Sequence, residues 1–517
     1  MRTRPFTSEM TRRAFLGRSS LVVVGALSLP EIIAACSQAA TGTSPSATLT
    51  IGTLPEFDSL DADHLSSTED GVMSTIYDAL IDMPQKPLEP RGWLAQSWDW
   101  TPDYTQLTLH LRQGVKFHDG SALTADAVAQ NFTRGLNQQT GDSIPGTLGS
   151  VQSAAASGND VVLTLKQPDV DVLYRLSWFR VMAPASFSTA KNNPIGTGPF
   201  KFVEWVPGDH LTVQRFDGYW KQTAGNVKQI VFKFFSDADA LVNSAIGGQI
   251  DVLLFGNPKD ADQLRSKGWT VYNRGVSDYM VLYLNATKSA LQNLDLRQAV
   301  ARAIDRDTIV KSAYYGLSTA TTLPVPAQSP AYDQSIASDW NFDLSGAKQL
   351  VQSSGVSNPS FTVVIDSSFP DQVQAAQIIQ QSLQQIGVTM TIKPVDSNTH
   401  TSLGLSGDYE ALMWYASGGI ADPADFEDNS GYRLPPRGVI WKNNAPADYV
   451  SSYTTALGTN DPAQRSSAFK AVWKVLHKYA WAIPIAWRAQ LDAQKSTVTG
   501  VAYDVNDRLQ PQDIVKS

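Results

Sequence analysis

The sequence has one cysteine in 517 residues, Cys36, and that scarcity removes two classes of protein. A single thiol makes no internal disulfide framework and no cysteine-built zinc site. Histidine is also scarce: His64, His110, His118, His210, His400 and His477, with no pair at the i, i+4 spacing that sets two imidazoles on one helix face. A histidine-built metal site has no basis in this spacing, and no cofactor is expected. Charged residues make up 17%, below the ~25% of an average globular chain. The balance is acidic, 49 against 41, or −8 overall, so nothing suggests the basic face that a nucleic-acid binder needs, and no nucleic acid is expected as partner. What the chain does have is 42% hydrophobic residues, enough to fill a large core. Its length predicts about two to four units of ~100–200 residues each.

The first 36 residues read as an export signal. Arg12 and Arg13 form a twin-arginine pattern that opens the weakly apolar stretch Leu21–Leu29, too short for the ~20 residues that span a bilayer. Ile33-Ala34-Ala35-Cys36 follows and resembles a bacterial lipobox, in which small residues fit the signal peptidase and the cysteine thiol is acylated. The twin-arginine route implies folding in the cytoplasm before export. Residues 37–47 are small, polar and uncharged, the composition of a flexible tether. The signal carries five Arg and two Glu, a balance of +3, which leaves −11 on the remainder. An acidic domain held by lipid to the outer face of the cell membrane is expected, with no membrane-spanning segment after the signal.

From Ala47 onward the pattern is mixed α/β. Ala47–Leu54 and Leu107–Leu111 alternate apolar and polar residues, as half-buried strands do. Thr124 stands where a cap would open a helix at Ala125. His118-Asp119 lies in a turn ending at Gly120, and adjacent residues there point in different directions, so the pair reads as structure rather than a catalytic dyad. Gly196-Thr197-Gly198-Pro199-Phe200 lacks the third glycine and the following helix of a dinucleotide fingerprint, and Phe200–Trp205 reads as strand. Leu296–Ile304 carries one apolar helical stripe. Phe361–Ile365, a helix from Gln372 to Ile386 closed by Gly387, and Val388–Ile392 form the strand-helix-strand of a parallel crossover.

Several stretches in order give the chain a family likeness. They are Trp93–Trp98, Leu111–Gly120, Thr124–Val128, Gly196–Phe200, Asp217–Trp220, Gly248–Asp251 and Leu296–Val300. Together they resemble the extracellular solute-binding proteins of ABC importers, peptide/nickel-binding family, over most of residues 48–505. The resemblance implies an α/β, two-lobed, periplasmic-binding-protein-like (Venus flytrap) fold with an extra subdomain in the first lobe and a hinge of two crossing strands. It places the first lobe at 48–275, the second at 276–481 and a C-terminal return to the first lobe at 482–517. It also implies a ligand captured between the lobes and delivered to a membrane permease, by a protein expected to be monomeric.

In peptide-binding members an aspartate shortly after a tryptophan in the second lobe pairs with the ligand's α-amino group. The corresponding segment here is Trp414–Pro423, and Ser417 stands where that carboxylate would be. Asp422 is the alternative carrier of the role. Trp414 and Tyr415 are candidate stacking residues, and Phe57, after the first strand, is a candidate at one rim of the cleft. Most of the thirteen Trp read as core. A peptide or peptide-like solute is expected, with an oligosaccharide, an opine-like conjugate or a metal chelate as alternatives. An exported hydrolase is the competing class, but no Gly-x-Ser-x-Gly elbow is present and pairs such as Asp58/Asp61 and Asp422/Asp425 read as turns and caps. A receptor that signals instead of feeding a permease would use the same closing lobes.

Overall fold

Two open sheets carry the architecture, and their strands come from interleaved parts of the chain. The computed structural model describes residues 47–54, 59–63, 70–85, 88–137, 148–274, 278–417, 423, 431–432, 439–441, 445–505 and 508–517. Cys36, Arg12, Arg13, Phe57 and Asp422 lie outside the described residues. Ser44–Ser517 forms one compact unit.

The first sheet has seven strands in the order Trp269–Asn273, Leu491–Lys495, Val252–Gly256, Ala47–Thr53, Val227–Phe234, His210–Arg215, Phe200–Val206. Its central strand, Ala47–Thr53, is parallel to both neighbours, so helices must cover the sheet. The second sheet has five strands in the order Thr389–Val395, Ser360–Asp366, Ala411–Ser417, Asp278–Leu284, Ala482–Trp487. Thr389–Val395 runs parallel to Ser360–Asp366, joined through helix Pro370–Gln385 as the sequence pattern requires. Gly387 adopts φ +83° just past that helix, a left-handed conformation that only glycine takes without cost. A third, four-stranded antiparallel sheet (Ala95–Trp100, Gln106–Leu111, Asp160–Leu165, Val151–Ser157) packs on helix Ala125–Gly135, whose first turn is capped by Thr124. This is the extra subdomain.

Strand alternation divides the core of the second lobe in two. Met280, Leu282 and Leu284 join one buried cluster, while Tyr279, Val281 and Tyr283 join another on the opposite face. The same period sends Tyr415 to the first face and Trp414 to the second. One boundary needs correction. Ala482–Trp487 pairs with Asp278–Leu284 in the five-stranded sheet, so the return to the first lobe starts after Trp487 and not at 482. The run is buried throughout although it ends the sheet, and Ala320 forms an isolated bridge to Ala486 on its outer side.

The stretches that carry the family likeness meet at a few buried nodes. Asp78 accepts hydrogen bonds from Trp93 Nε1 (2.7 Å), Trp220 Nε1 (3.0 Å), the Tyr219 hydroxyl (3.1 Å) and the Thr197 hydroxyl (3.1 Å). Three separated motifs therefore converge on one carboxylate. Asp251 accepts from the Thr50 N–H and pairs with Lys495 and Lys516, tying the central strand to the C-terminal segment. Arg297 donates to the carbonyls of Tyr479 and Leu291, and Gln298 to that of His477. The glycines of the 196–200 loop are set by contact: a Cβ on Gly196 would lie 2.1 Å from the Ile76 carbonyl oxygen, and one on Gly198 2.6 Å from that of Thr75. Gly196→Ala is expected to cost about 2–3 kcal/mol, because the obstacle is backbone and does not rotate away. A urea midpoint unchanged from wild type would refute this packing.

Candidate functional site

In both sheets the parallel strands end on the edge where the chain passes from one lobe to the other. In the first sheet Ala47–Thr53, Val227–Phe234 and Val252–Gly256 run one way and Leu491–Lys495 the other, which puts Asn273 and Leu491 on the carboxyl edge. In the second, Ser360–Asp366 and Ala411–Ser417 are parallel and Asp278–Leu284 is antiparallel, which puts Asp278, Ser417 and Trp487 on its carboxyl edge. Both crossovers, 273 to 278 and 487 to 491, join these two edges. In open α/β sheets ligands bind outside the carboxyl ends of the strands.

The crossovers are pinned by a buried ion pair. Arg274 Nε and Nη2 donate to Asp492 Oδ2 (2.8 Å) and Oδ1 (3.0 Å), with side chains 2% and 0% exposed. Asp492 also accepts from the Phe255 N–H (3.0 Å) and the Tyr503 hydroxyl (2.5 Å). Burial and the Asp492 charge hold the Tyr503 phenol well above its ordinary pKa. The two crossing segments are bonded to each other as well, Arg274 N–H to the Gln490 carbonyl (3.0 Å) and Arg488 N–H to the Asp278 carbonyl (2.8 Å). A second tie joins the subdomain to the second lobe. Arg465 Nη2 donates to both oxygens of Asp171 (2.5 and 2.7 Å), while its Nη1 donates to the carbonyls of Ala456, Leu457 and Thr459. Met83, Leu88, Tyr174 and Val505 pack into the second lobe's core on the same side.

Around the carboxyl edge of the second sheet lies a polar and aromatic group. The Tyr415 hydroxyl donates to Asp371 and lies 3.3 Å from that of Tyr314. Its ring meets Phe369 edge-on, with centroids 5.3 Å apart. Arg488 lies over both rings, 4.6 Å from the Tyr415 centroid and 5.2 Å from that of Phe369. Burial, then the Tyr314 and Asp371 neighbours, push the Tyr415 phenol well up, so it stays a neutral donor. Ser417 is exposed and stands directly opposite Asp278 in the strand ladder. Burial raises the Asp278 carboxyl, and Arg488 partly opposes this.

Of the residues singled out from the sequence, the structure brings Tyr415 and Ser417 to this edge. Trp414 lies on the other face, stacked on His400 at 5.0 Å, with Gly404 beneath its ring. Sequence reasoning missed Asp278, Arg488 and Phe369, each of which reads locally as an unremarkable strand or loop residue. A cavity lined by Asp78, Tyr219, Arg180 and Arg508 has water-sized space of about 30 Å³, too small for a solute. Among the described residues no group of three or more His, Cys, Asp or Glu is placed to hold a metal ion, and no helix is long and apolar enough to cross a membrane.

His118, beside the turn at Asp119-Gly120, is a packing residue. Its Nε2 faces the Gly198 carbonyl (3.0 Å) and its Nδ1 accepts from the Gly196 N–H (3.3 Å), which fixes the neutral tautomer. Burial lowers its pKa to about 4. The unfolded chain therefore binds more protons between pH ~6.5 and ~4, and this group's contribution to stability falls as pH drops through that window. The slope reaches about 1.4 kcal/mol per pH unit. His118→Asn should flatten the pH dependence of the urea midpoint between pH 6.5 and 4.5, and a slope equal to wild type would contradict the assignment.

Residues 89–432 match the bacterial extracellular solute-binding proteins, family 5 (middle). The chain is 26% identical over 503 residues to the glutathione-binding protein GsiB of Shigella dysenteriae serotype 1, covering 93% of this chain and 96% of the relative. Among solved structures, NikA from Brucella suis in complex with Fe(III)-EDTA superposes with a TM-score of 0.81 at 21% identity, over 91% of this chain and 100% of NikA. The binding protein DppA from Helicobacter pylori in complex with the peptide STSA gives 0.71 at 22%, over 91% and 98%. The fold is thus the two-lobed one of periplasmic binding proteins, and the chain belongs to family 5 of the bacterial extracellular solute-binding proteins.

Proposed function

We propose that the chain, as the substrate-binding component of an ABC importer, captures a peptide or peptide-like solute at the joined carboxyl edges of its two sheets. The observation that carries this reading is the gathering of Tyr415, Ser417, Phe369 and Arg488 where both crossovers join the lobes. Rotation about the crossovers would close the lobes over the solute, and the closed form is what a permease would recognise. The ligands named for GsiB and DppA support a peptidic class, and the Fe(III)-EDTA named for NikA keeps a metal chelate as the second reading. Trp414 acts in this reading as support behind the site. Phe57 and Asp422 are proposed as further contacts, from the stretches of sequence that follow the first strand and Ser417. Arg12 and Arg13 would direct export, and Cys36 would carry the lipid that holds a monomeric, acidic receptor at the outer face of the membrane.

We assign no catalysis to it. Native mass spectrometry of the chain purified under mild conditions, followed by denaturation, should release short peptides or a conjugate of peptide-like chemistry. A released sugar or metal chelate would overturn the solute class and keep the receptor. Hydrolysis of the bound solute would replace the receptor with an enzyme. Retained uptake after deletion of the neighbouring permease would favour a sensor.

A further inference from the structure

Two arginines bracket the crossovers, and they are used in opposite ways. Arg274 places its fork on Asp492 with both bonds at hydrogen-bond length, out of water. Arg488 sits 3.9 Å from Asp278, beyond hydrogen-bond reach, with both side chains about one-third exposed at 32% and 31%. Among the described residues neither the Arg488 guanidinium nor the Asp278 carboxylate makes a side-chain hydrogen bond. The guanidinium lies over the rings of Tyr415 and Phe369 instead, 4.6 and 5.2 Å from their centroids. Helix Pro370–Gln385 opens beside it, and its N-cap, Phe369, supplies no side-chain acceptor to the first turn. Arg488 thus lies beside the start of that 16-residue helix, whose first turn carries Asp371, and its guanidinium is 3.9 Å from the Asp278 carboxylate.

A loose, part-exposed pair like this contributes little to folding. Its geometry suits a third party. A group bearing an ammonium and a carboxylate on one carbon can meet both side chains together, turning one long contact into two charge-assisted hydrogen-bonded ones. We infer that Asp278 and Arg488 form a subsite for the α-amino-acid head group of the solute, Asp278 taking the ammonium and Arg488 the carboxylate. Asp278 faces Ser417 across the ladder, so the carboxylate absent at 417 is supplied by the neighbouring strand. The inference rests on the reading of this edge as the solute site. It narrows the solute to one whose amine and carboxylate share a carbon, such as a free amino acid or a γ-linked glutamyl peptide, rather than an ordinary peptide whose two termini lie far apart.

The test is calorimetric titration of the full chain with a panel of free amino acids and γ-linked glutamyl peptides. The same compounds are then titrated N-acetylated, or amidated at the head carboxylate. Binding should require the intact head and weaken at least about tenfold with either blocking group. Arg488→Met and Asp278→Asn, which keep the stems, should each produce a loss of similar size, with thermal midpoints near wild type. The blocked compounds test the idea on wild-type protein even where a variant folds poorly. An empty panel, equal binding of blocked compounds, or wild-type affinity in folded variants would each overturn the subsite. If a passenger is nonetheless released on denaturation, the receptor reading survives that failure; if none is released, both fall.

Discussion

Asp492→Ala is expected to destabilise the protein by about 3–5 kcal/mol, the cost of breaking a buried ion pair by removing its carboxylate. Arg274 is almost fully buried, and its Nε and Nη2 both donate to the Asp492 carboxylate. The same substitution removes the acceptor of the Phe255 N–H, and Phe255 sits at φ +61°, a left-handed conformation unfavourable for a residue with a Cβ. Arg274 stacks over that ring at 3.8 Å, so ion pair, strained backbone and aromatic contact fail together. Because Asp492 opens the return strand and Arg274 closes the outgoing one, the loss should also loosen the crossovers and weaken solute capture. Chemical denaturation measures the first effect and titration the second. The double variant Arg274→Met/Asp492→Leu should recover part of the stability, since it removes both buried charges. A single variant within about 1 kcal/mol of wild type would show that the pair is not sealed from water.

The second large effect is expected at Asp78. Asp78→Ala orphans two indole N–H groups and two hydroxyls in one place, and should cost about 3–5 kcal/mol. The carboxyl itself is buried, which raises its pKa; the four donors oppose that shift. Since the donors come from three distant stretches, the loss should separate the subdomain from the first lobe rather than fray one loop. Hydrogen exchange should then quicken across Ala95–Trp100 and Phe200–Val206 together while the five-stranded sheet stays protected. Exchange confined to the loop around Thr197 would mean the node is local.

Much of the scaffold was legible because its signals are local. Thr124 caps its helix, Gly387 closes another, and the strand-helix-strand between 360 and 395 forms the parallel unit that its apolar period implies. Each of these is decided within a few residues by sterics and hydrogen bonding. The motifs that betray the family are legible for a different reason: Trp93, Thr197, Tyr219 and Trp220 hold one buried carboxylate and pack the fold, so they identify the family without describing its ligand.

The site was harder to see because it is made by register. Period-two alternation dictates that Trp414 and Tyr415 face opposite ways, but only the helices packed on each face decide which of them reaches the crossover edge. Nothing near Ser417 in sequence names Asp278 as its cross-strand partner, and nothing near Trp487 places Arg488 over the Tyr415 ring. The sequence by itself determined the alternation of strands and helices, and the family. Tertiary structure decided the return point after Trp487, the convergence on Asp78 and the opposed charges at the crossovers. The physical reason is one of range. Propensity and capping act over a turn or two, whereas strand register and the meeting of two lobes are fixed only when distant apolar faces are buried against each other.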